Sequence, residues 1–450
     1  MSFKQIILII ALLALVLCAS LVAQTIEPQI DEYIDAQMKL GRFSGAVLVA
    51  KDSGILVSKG YGLANQELNV PNTPQTKFRL GSVTKQFTSM LIMILEEGGK
   101  LSTDDYVAEY IEDYPNGDKI TIHHLLTHTS GIPDVFDIDG FNDIKRDPLT
   151  TEEFVDFFKN EQLDFEPGTE YDYSNSGYVL LSYIIEIVTG KSYEDFLTEN
   201  ILKPLEMNDT GMDSHSKVIK NRADGYYPGG DGLINAPYLS MTLPAGGGGL
   251  YSTVQDMYKW DRSLYTEKLV SKKSLDKIFT PHSDSSTYCY GWRKAEDFGK
   301  LCFQHGGGIE GFVCVVKRYV DDDVFVVVLS NFINSPVREI AKDLAAILFD
   351  EEYNLPEETD VFELEDEILI SYAGEYELAP GTNLVVTFIE SRLFVAPPGQ
   401  PPIEIFPESE TDFFVKAFPA KLSFSKNESG IVIELYFKAG GNDMVAKKVK

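Results

Sequence analysis

The chain has 450 residues, too many for one ordinary core, and its 44% hydrophobic and 24% charged residues are values of a soluble globular protein, so disorder is not the default reading and two or more domains are expected. A formal net charge of −30 without a local basic patch excludes nucleic acid and anionic membrane surfaces as partners. The charge reads first as a solvated acidic surface, and alternatively as a field attracting cationic substrates.

Residues 1–23 have the layout of a secretory signal peptide. Lys4 starts it, Ile6 to Val16 is unbroken apolar sequence, and small residues follow at Cys18, Ala19, Ser20 and Ala23. The run is short for a transmembrane helix, so no stable transmembrane helix is expected after processing. Cleavage to an exported form, periplasmic or secreted, is expected. A lipid anchor at Cys18 is the alternative, weakened by Leu17 where that pattern wants a small residue.

An amphipathic helix is expected over 26–40, with Ile30, Tyr33, Ile34 and Met38 on one face. Apolar runs at 45–50 and 55–58 flank a turn and read as a β-hairpin. A loop-rich region follows, with helices expected at 83–97, 152–160, 176–188 and 253–264. Strands are then expected at 288–293, 301–305, 311–318 and 324–331, and a helix at 336–349. The fold class is α+β, an antiparallel sheet built from the outer segments with a large helical insertion packed on it. A first domain is placed at 24–350. Acidic residues 351–367 read as a linker. Residues 368–450 show short alternating runs divided by turns and no helix period, which reads as a small all-β domain, barrel or sandwich. Cys289 and Cys302 fall on two expected strands and could face each other; the alternative is that Cys289, Cys302 and Cys314 are buried free thiols.

Three short segments carry chemistry. Ser82-Val83-Thr84-Lys85 opens an apolar-periodic helix, which puts Ser82 at the positive end of the dipole and Lys85 one turn on along the same face. A lysine kept from water beside a serine has a lowered pKa and can help accept its proton. Tyr173-Ser174-Asn175 precedes another helix. Beside an ammonium the Tyr173 phenolate is stabilised and can take a proton, while the Asn175 amide can donate to a substrate carbonyl. His305-Gly306-Gly307-Gly308 ends a strand whose missing side chains let a substrate backbone lie close. The Gly308 and Ser82 amides could there form an oxyanion hole.

In this order and spacing the three segments resemble the class C β-lactamases and their relatives among penicillin-binding proteins, esterases and D-amino-acid peptidases. Flanking segments agree, among them Phe78 to Ser82, Leu125 to Gly131, Pro167-Gly168, Pro244 to Gly247 and Tyr290-Gly291-Trp292. The resemblance implies Ser82 as nucleophile, Lys85 as its partner, Tyr173 as general base and then proton donor, and Asn175 as substrate orienter. It also implies substrate contacts from His305, Gly306, Gly307 and Gly308, and neither cofactor nor metal. The third segment departs from the Lys-Thr-Gly of true β-lactamases, since His305 is weakly charged at neutral pH and Gly306 has no hydroxyl. An esterase or D-residue peptidase on a small-molecule or peptide substrate is therefore expected. The alternatives are a β-lactam sensor that stays acylated and a true β-lactamase. Arg293 and Lys317 are candidate replacement cations. The tail resembles a small barrel-like domain attached to some members of the family, on Tyr372 to Tyr376 and Phe406 to Ser409.

Two rival sites are weaker. His124 and His128 could share a helical face for zinc, but no third ligand is evident. Gly246 to Gly249 lacks the Lys-Ser/Thr that a phosphate-binding loop requires, and reads as a turn.

Overall fold

The computed structural model describes residues 26–229, 232–282, 286–358, 360–379, 382–396, 402–416, 420–439 and 442–450. The expected signal peptide and Cys18 lie outside the described residues. Among the described residues no helix is long and apolar enough to cross a membrane. The chain divides into two compact units. One holds Phe43–Asn354 with the preceding chain up to Asp35, the other Leu355–Lys450 with Ala36–Arg42.

The first unit is built on a six-stranded antiparallel sheet. Its strands are β1 (Gly45–Lys51), β2 (Gly54–Tyr61), β3 (Arg293–Asp297), β4 (Lys300–Ile309), β5 (Phe312–Tyr319) and β6 (Val324–Ser330), in the order β3-β4-β5-β6-β1-β2. The earliest and latest strands of the unit thus meet at β1 and β6, and everything between residues 62 and 292 is an insertion. The apolar run of β6, Val-Phe-Val-Val-Val-Leu-Ser, is buried at every position because it lies centrally with both faces covered. Asp52 and Ser53 take positive φ at the β1–β2 turn, the conformation a two-residue hairpin loop demands.

The helices expected around residues 26–40, 83–97, 176–188 and 336–349 form as α1 (26–39), α2 (Thr84–Glu97), α4 (Asn175–Thr189) and α5 (Val337–Phe349). A short helix, α3 (Ile122–Thr127), lies between α2 and α4. Helix α5 packs on β5 and β6. Helix α2 is buried along most of its length, and Phe87 stacks on Trp260 at 4.3 Å.

One strand differs from expectation. The sequence places a strand at 288–293, but β3 spans Arg293–Asp297 and runs through the segment read as a turn. Phe298 and Gly299, at φ +56° and +69°, make the true two-residue turn and pair Asp297 with Lys300. Cys302 therefore faces Ala295, not Cys289, and all three cysteines are buried free thiols. Residues 288–292 instead wedge Tyr288, Tyr290 and Trp292 into the core around Gly291. A Cβ on Gly291 would meet the Lys85 carbonyl oxygen at 2.7 Å.

The second unit is a closed eight-stranded barrel of β7 (Gly374–Ala379), β8 (Thr382–Ile389), β9 (Arg392–Ala396), β10 (Ile403–Pro407), β11 (Asp412–Phe414), β12 (Ala420–Lys426), β13 (Val432–Ala439) and β14 (Asn442–Lys448), closed by Tyr376 opposite Lys448. Closure removes both sheet edges. The unit is not wholly β: α6 (Asp366–Tyr372) carries acidic residues in its first turn and puts Leu369 and Tyr372 into the barrel's hydrophobic cluster. Two apolar contacts in under two turns are too few for a helix period to be read. The expected domain start at 368 falls inside this helix.

Candidate active site

Ser82 lies in the 3-10 turn Gly81–Val83 that runs directly into α2. Glycines let β4 run flush against this turn. A Cβ on Gly307 would lie 1.9 Å from the Leu80 carbonyl oxygen and 3.0 Å from the Ser82 nitrogen, and one on Gly81 would meet the Gly308 nitrogen at 2.8 Å. The Ser82 and Gly308 backbones are thereby brought side by side. The β3 ladder ends at the Arg293–Gln304 pair, so β4 continues from His305 to Ile309 beyond its β3 partner.

Lys85 is fully buried. Its Nζ donates to the Asn175 amide oxygen at 2.7 Å, to the Gly247 carbonyl at 2.8 Å and, at a longer 3.3 Å, to Ser82 Oγ. Burial pulls its pKa down to about 7, against the opposing charge of Asp134. The glycine run thus forms a turn, Ala245–Gly248, whose carbonyl holds the lysine.

Asp134 accepts from the Asn175 side chain at 2.7 Å and from its backbone N–H at 3.2 Å. This fixes which end of the amide faces Lys85.

The Tyr173 ring lies under the Lys85 ammonium at 5.0 Å and beside the His128 ring at 4.2 Å. Its hydroxyl oxygen is buried without a hydrogen-bond partner of ordinary geometry among the described residues. Burial pushes this phenol above its usual range, and the neighbouring Ser82 hydroxyl is the main opposing influence. His305 is buried, with Nε2 3.0 Å from the Tyr288 hydroxyl and Nδ1 2.6 Å from the Gly306 carbonyl. Burial, and next the Lys85 charge, push its pKa down to about 3.

Ser82, Lys85, Tyr173, Asn175, His305 and Gly308 are therefore assembled at one place, and Gly307 is the seam that lets them meet. Gly306 is turned elsewhere. A Cβ there would point to the Arg338 guanidinium at 2.9 Å, by strand alternation the face opposite Gly307. The candidate cations are also accounted for. Lys317 is buried in an ion pair with Asp297, and Arg293 donates to the Tyr171 hydroxyl at 2.8 Å among the rings of Tyr171, Tyr173 and Tyr288. The two histidines read as possible zinc ligands have other partners: His124 and His128 accept backbone N–H groups from Thr121 and Ser174, and the neighbouring His123 Nδ1 lies 2.7 Å from the Tyr290 hydroxyl.

Beside Ser82 opens a cavity of about 380 Å³, lined by Ser82, Asn175, Gly247 and Gly308 at one end and by Phe136, Phe141, Lys145, Leu239 and Glu310 beyond. Asp134, Lys145 and Arg338 were not singled out from sequence. Asp134 lies in an irregular loop, Lys145 caps the C-terminus of the one-turn helix Phe141–Ile144, and Arg338 lies in the first turn of α5.

Comparison with known proteins agrees with this fold. Residues 30–349 match the family model described as Beta-lactamase, and residues 360–447 match one described as Domain of unknown function (DUF3471). A penicillin-binding protein of Bacillus subtilis is 31% identical over 89% of this chain and 94% of its own. The octameric penicillin-binding protein homologue of Pyrococcus abyssi superposes with a TM-score of 0.65 at 27% identity, covering 93% of this chain and 99% of that one. A penicillin-binding protein of Bacillus halodurans gives a TM-score of 0.63 at 28% identity, over 71% and 98% of the two chains.

Proposed function

The chain belongs to the beta-lactamase family of serine hydrolases, and on that premise we propose that it is an exported hydrolase in which Ser82 forms an acyl-enzyme with an ester or with an amide of a D-residue. The observation that carries this reading is the set of contacts around Lys85. Two short bonds run to carbonyl oxygens, which can only accept, and the third and longest runs to Ser82 Oγ. A neutral amine has two N–H donors for the two carbonyls, and its lone pair then faces the Ser82 hydroxyl. Because burial lowers Lys85 to about 7 and raises Tyr173, the lysine amine is the better base near neutral pH.

In acylation the Ser82 oxygen bonds to the substrate carbonyl carbon as its proton passes to Lys85. The Ser82 and Gly308 amides stabilise the oxyanion. The C–O or C–N bond to the leaving group then breaks, and the Tyr173 phenol supplies a proton to that group and is reprotonated from Lys85. Water reverses the sequence in deacylation. Asn175 orients the substrate carbonyl's neighbourhood, and His305, neutral, shapes the leaving-group side. The residues present call for no metal or cofactor in these steps.

Labelling with a fluorophosphonate followed by peptide mapping tests the reading. The adduct is expected on Ser82. An adduct on any other serine, or none, overturns it. A burst followed by steady product release is expected, whereas a burst that stops at one equivalent would make the protein a β-lactam sensor.

A further inference from the structure

Arg79 lies in the two-residue strand Phe78–Arg79, just ahead of the serine turn, and has no part in the steps proposed above. Its side chain is nine-tenths buried, and its Nε donates to Asp213 at 2.6 Å. The Asp213 carboxylate is fully buried and occupied on both oxygens. The second oxygen accepts from Arg222 at 2.6 Å and from the Ser214 N–H at 2.7 Å. Two guanidinium groups therefore share one carboxylate, and one positive charge is left over. Among the described residues the terminal nitrogens of Arg79 make no hydrogen bond, although the guanidinium lies over the Phe312 ring at 5.5 Å. A buried charged donor without an acceptor is costly unless something supplies one.

That donor faces a second cavity, of about 240 Å³, lined by Arg79, Arg222, Tyr238 and Phe312 among others. It is separate from the cavity beside Ser82, with which it shares Leu239 alone. Its walls say more than that an anion would fit. Phe312, Leu239 and the ring of Tyr238, which stacks on His215 at 4.4 Å, give it an apolar side. The space is also large for a bare inorganic ion. The one acidic side chain on its lining, Asp224, is exposed and accepts from Asn65 at 2.5 Å, so it would repel a second negative charge.

We propose that this second cavity binds a small organic monocarboxylate, its carboxylate against Arg79 and Arg222 and its apolar body against Phe312 and Tyr238. Guanidinium groups suit a planar carboxylate because two parallel N–H bonds match its two oxygens. The site stands apart from the chemistry at Ser82 and does not depend on it.

Calorimetric titration of the full chain with benzoate, benzamide and inorganic phosphate tests the proposal. Benzoate is expected to bind saturably and at least about tenfold more tightly than benzamide, its neutral isostere, because the charge-assisted contact is lost in the amide. This comparison uses the wild type alone, so it stands even if a variant fails to fold. Arg222→Gln should weaken benzoate by roughly tenfold, while Asp213 keeps Arg79 as its partner. Lys145→Gln, which changes the cation of the other cavity, should leave benzoate affinity unchanged. Equal affinity for benzoate and benzamide overturns the proposal, as does a benzoate affinity that Arg222→Gln does not alter. A loss with Lys145→Gln would place the carboxylate beside Ser82 and overturn it too. Phosphate binding as tightly as benzoate would overturn the assignment of an organic monocarboxylate.

Discussion

Asp134 accepts both N–H groups of Asn175, at 3.2 Å from the backbone and 2.7 Å from the side chain, and so turns the Asn175 amide oxygen toward Lys85. Its charge also opposes the burial that lowers Lys85. In Asp134→Asn the opposing charge is gone, so Lys85 should fall below about 7 and its neutral form should persist to lower pH. The acid limb of kcat/KM is therefore expected to move down in pH while the plateau drops, because the amide of Asn175 loses its orientation. A drop with an unmoved limb would show that Asp134 holds the loop and nothing more.

Ser82→Ala should abolish fluorophosphonate labelling and cut ester hydrolysis by ~10³-fold or more, since the covalent route is lost. Its thermal unfolding should match wild type, because the Ser82 hydroxyl contributes only the long contact with Lys85. Full labelling of the alanine variant would assign the nucleophile elsewhere.

Tyr173→Phe keeps the ring that packs on His128 and lies beneath Lys85 and removes only the buried hydroxyl. If that hydroxyl protonates the leaving group, kcat for an amide should fall by ~10²-fold or more with little change in KM, and the loss should be smaller for p-nitrophenyl esters. Steady-state rates on a matched amide and ester decide it; equal losses on both would assign Tyr173 a packing role.

Gly307→Ala tests the seam between β4 and the serine turn. Its Cβ would sit 1.9 Å from the Leu80 carbonyl oxygen, a backbone atom that cannot swing aside. The variant should lose about 1–3 kcal/mol of stability, as overpacked sites do, along with labelling of Ser82. Gly308→Ala is the control, since nothing lies within 4 Å of its Cβ. Denaturation curves for the two should differ; similar losses would mean that the seam is not as tight as drawn.

The sheet, the principal helices and the serine, tyrosine and histidine segments were legible in the sequence because each couples a period to a chemical signature. Ser82 lies in the 3-10 turn that runs into the helix carrying Lys85, and Asn175 starts another helix. What escaped depended on contacts between distant segments. Asp134 reaches Asn175 across 41 residues and Gly247 reaches Lys85 across 162, and neither loop carries a periodic mark. The β3 register escaped because Phe298 takes a positive φ that no side-chain rule assigns to phenylalanine. Helix α6 escaped because it is less than two turns long. Gly306 was legible as a missing hydroxyl, but the side on which that hydroxyl would stand was set by pairing with β5, with Gly306 opposite Val315.

That placement sharpens what the third segment does for specificity. His305 is buried and held neutral down to about pH 3, so it offers a β-lactam carboxylate no fixed charge at any working pH. A charge-assisted bond of this kind is worth about 1.5–3 kcal/mol, or roughly one to two decades in kcat/KM. Short acyl esters need no such contact, so p-nitrophenyl acetate or butyrate should be turned over with a higher kcat/KM than nitrocefin. His305→Lys should shift the ratio toward nitrocefin. It should also move the acid limb to lower pH, because a second ammonium near Lys85 disfavours the charged form of the first. Adding Gly306→Thr should bring no further gain, since its side chain would meet Arg338 on the other face of β4. Steady-state kinetics on both substrates across the three proteins separate these outcomes: a wild type that prefers nitrocefin would show that the carboxylate is gripped by another cation, and a gain from the threonine would show that position 306 faces the substrate after all.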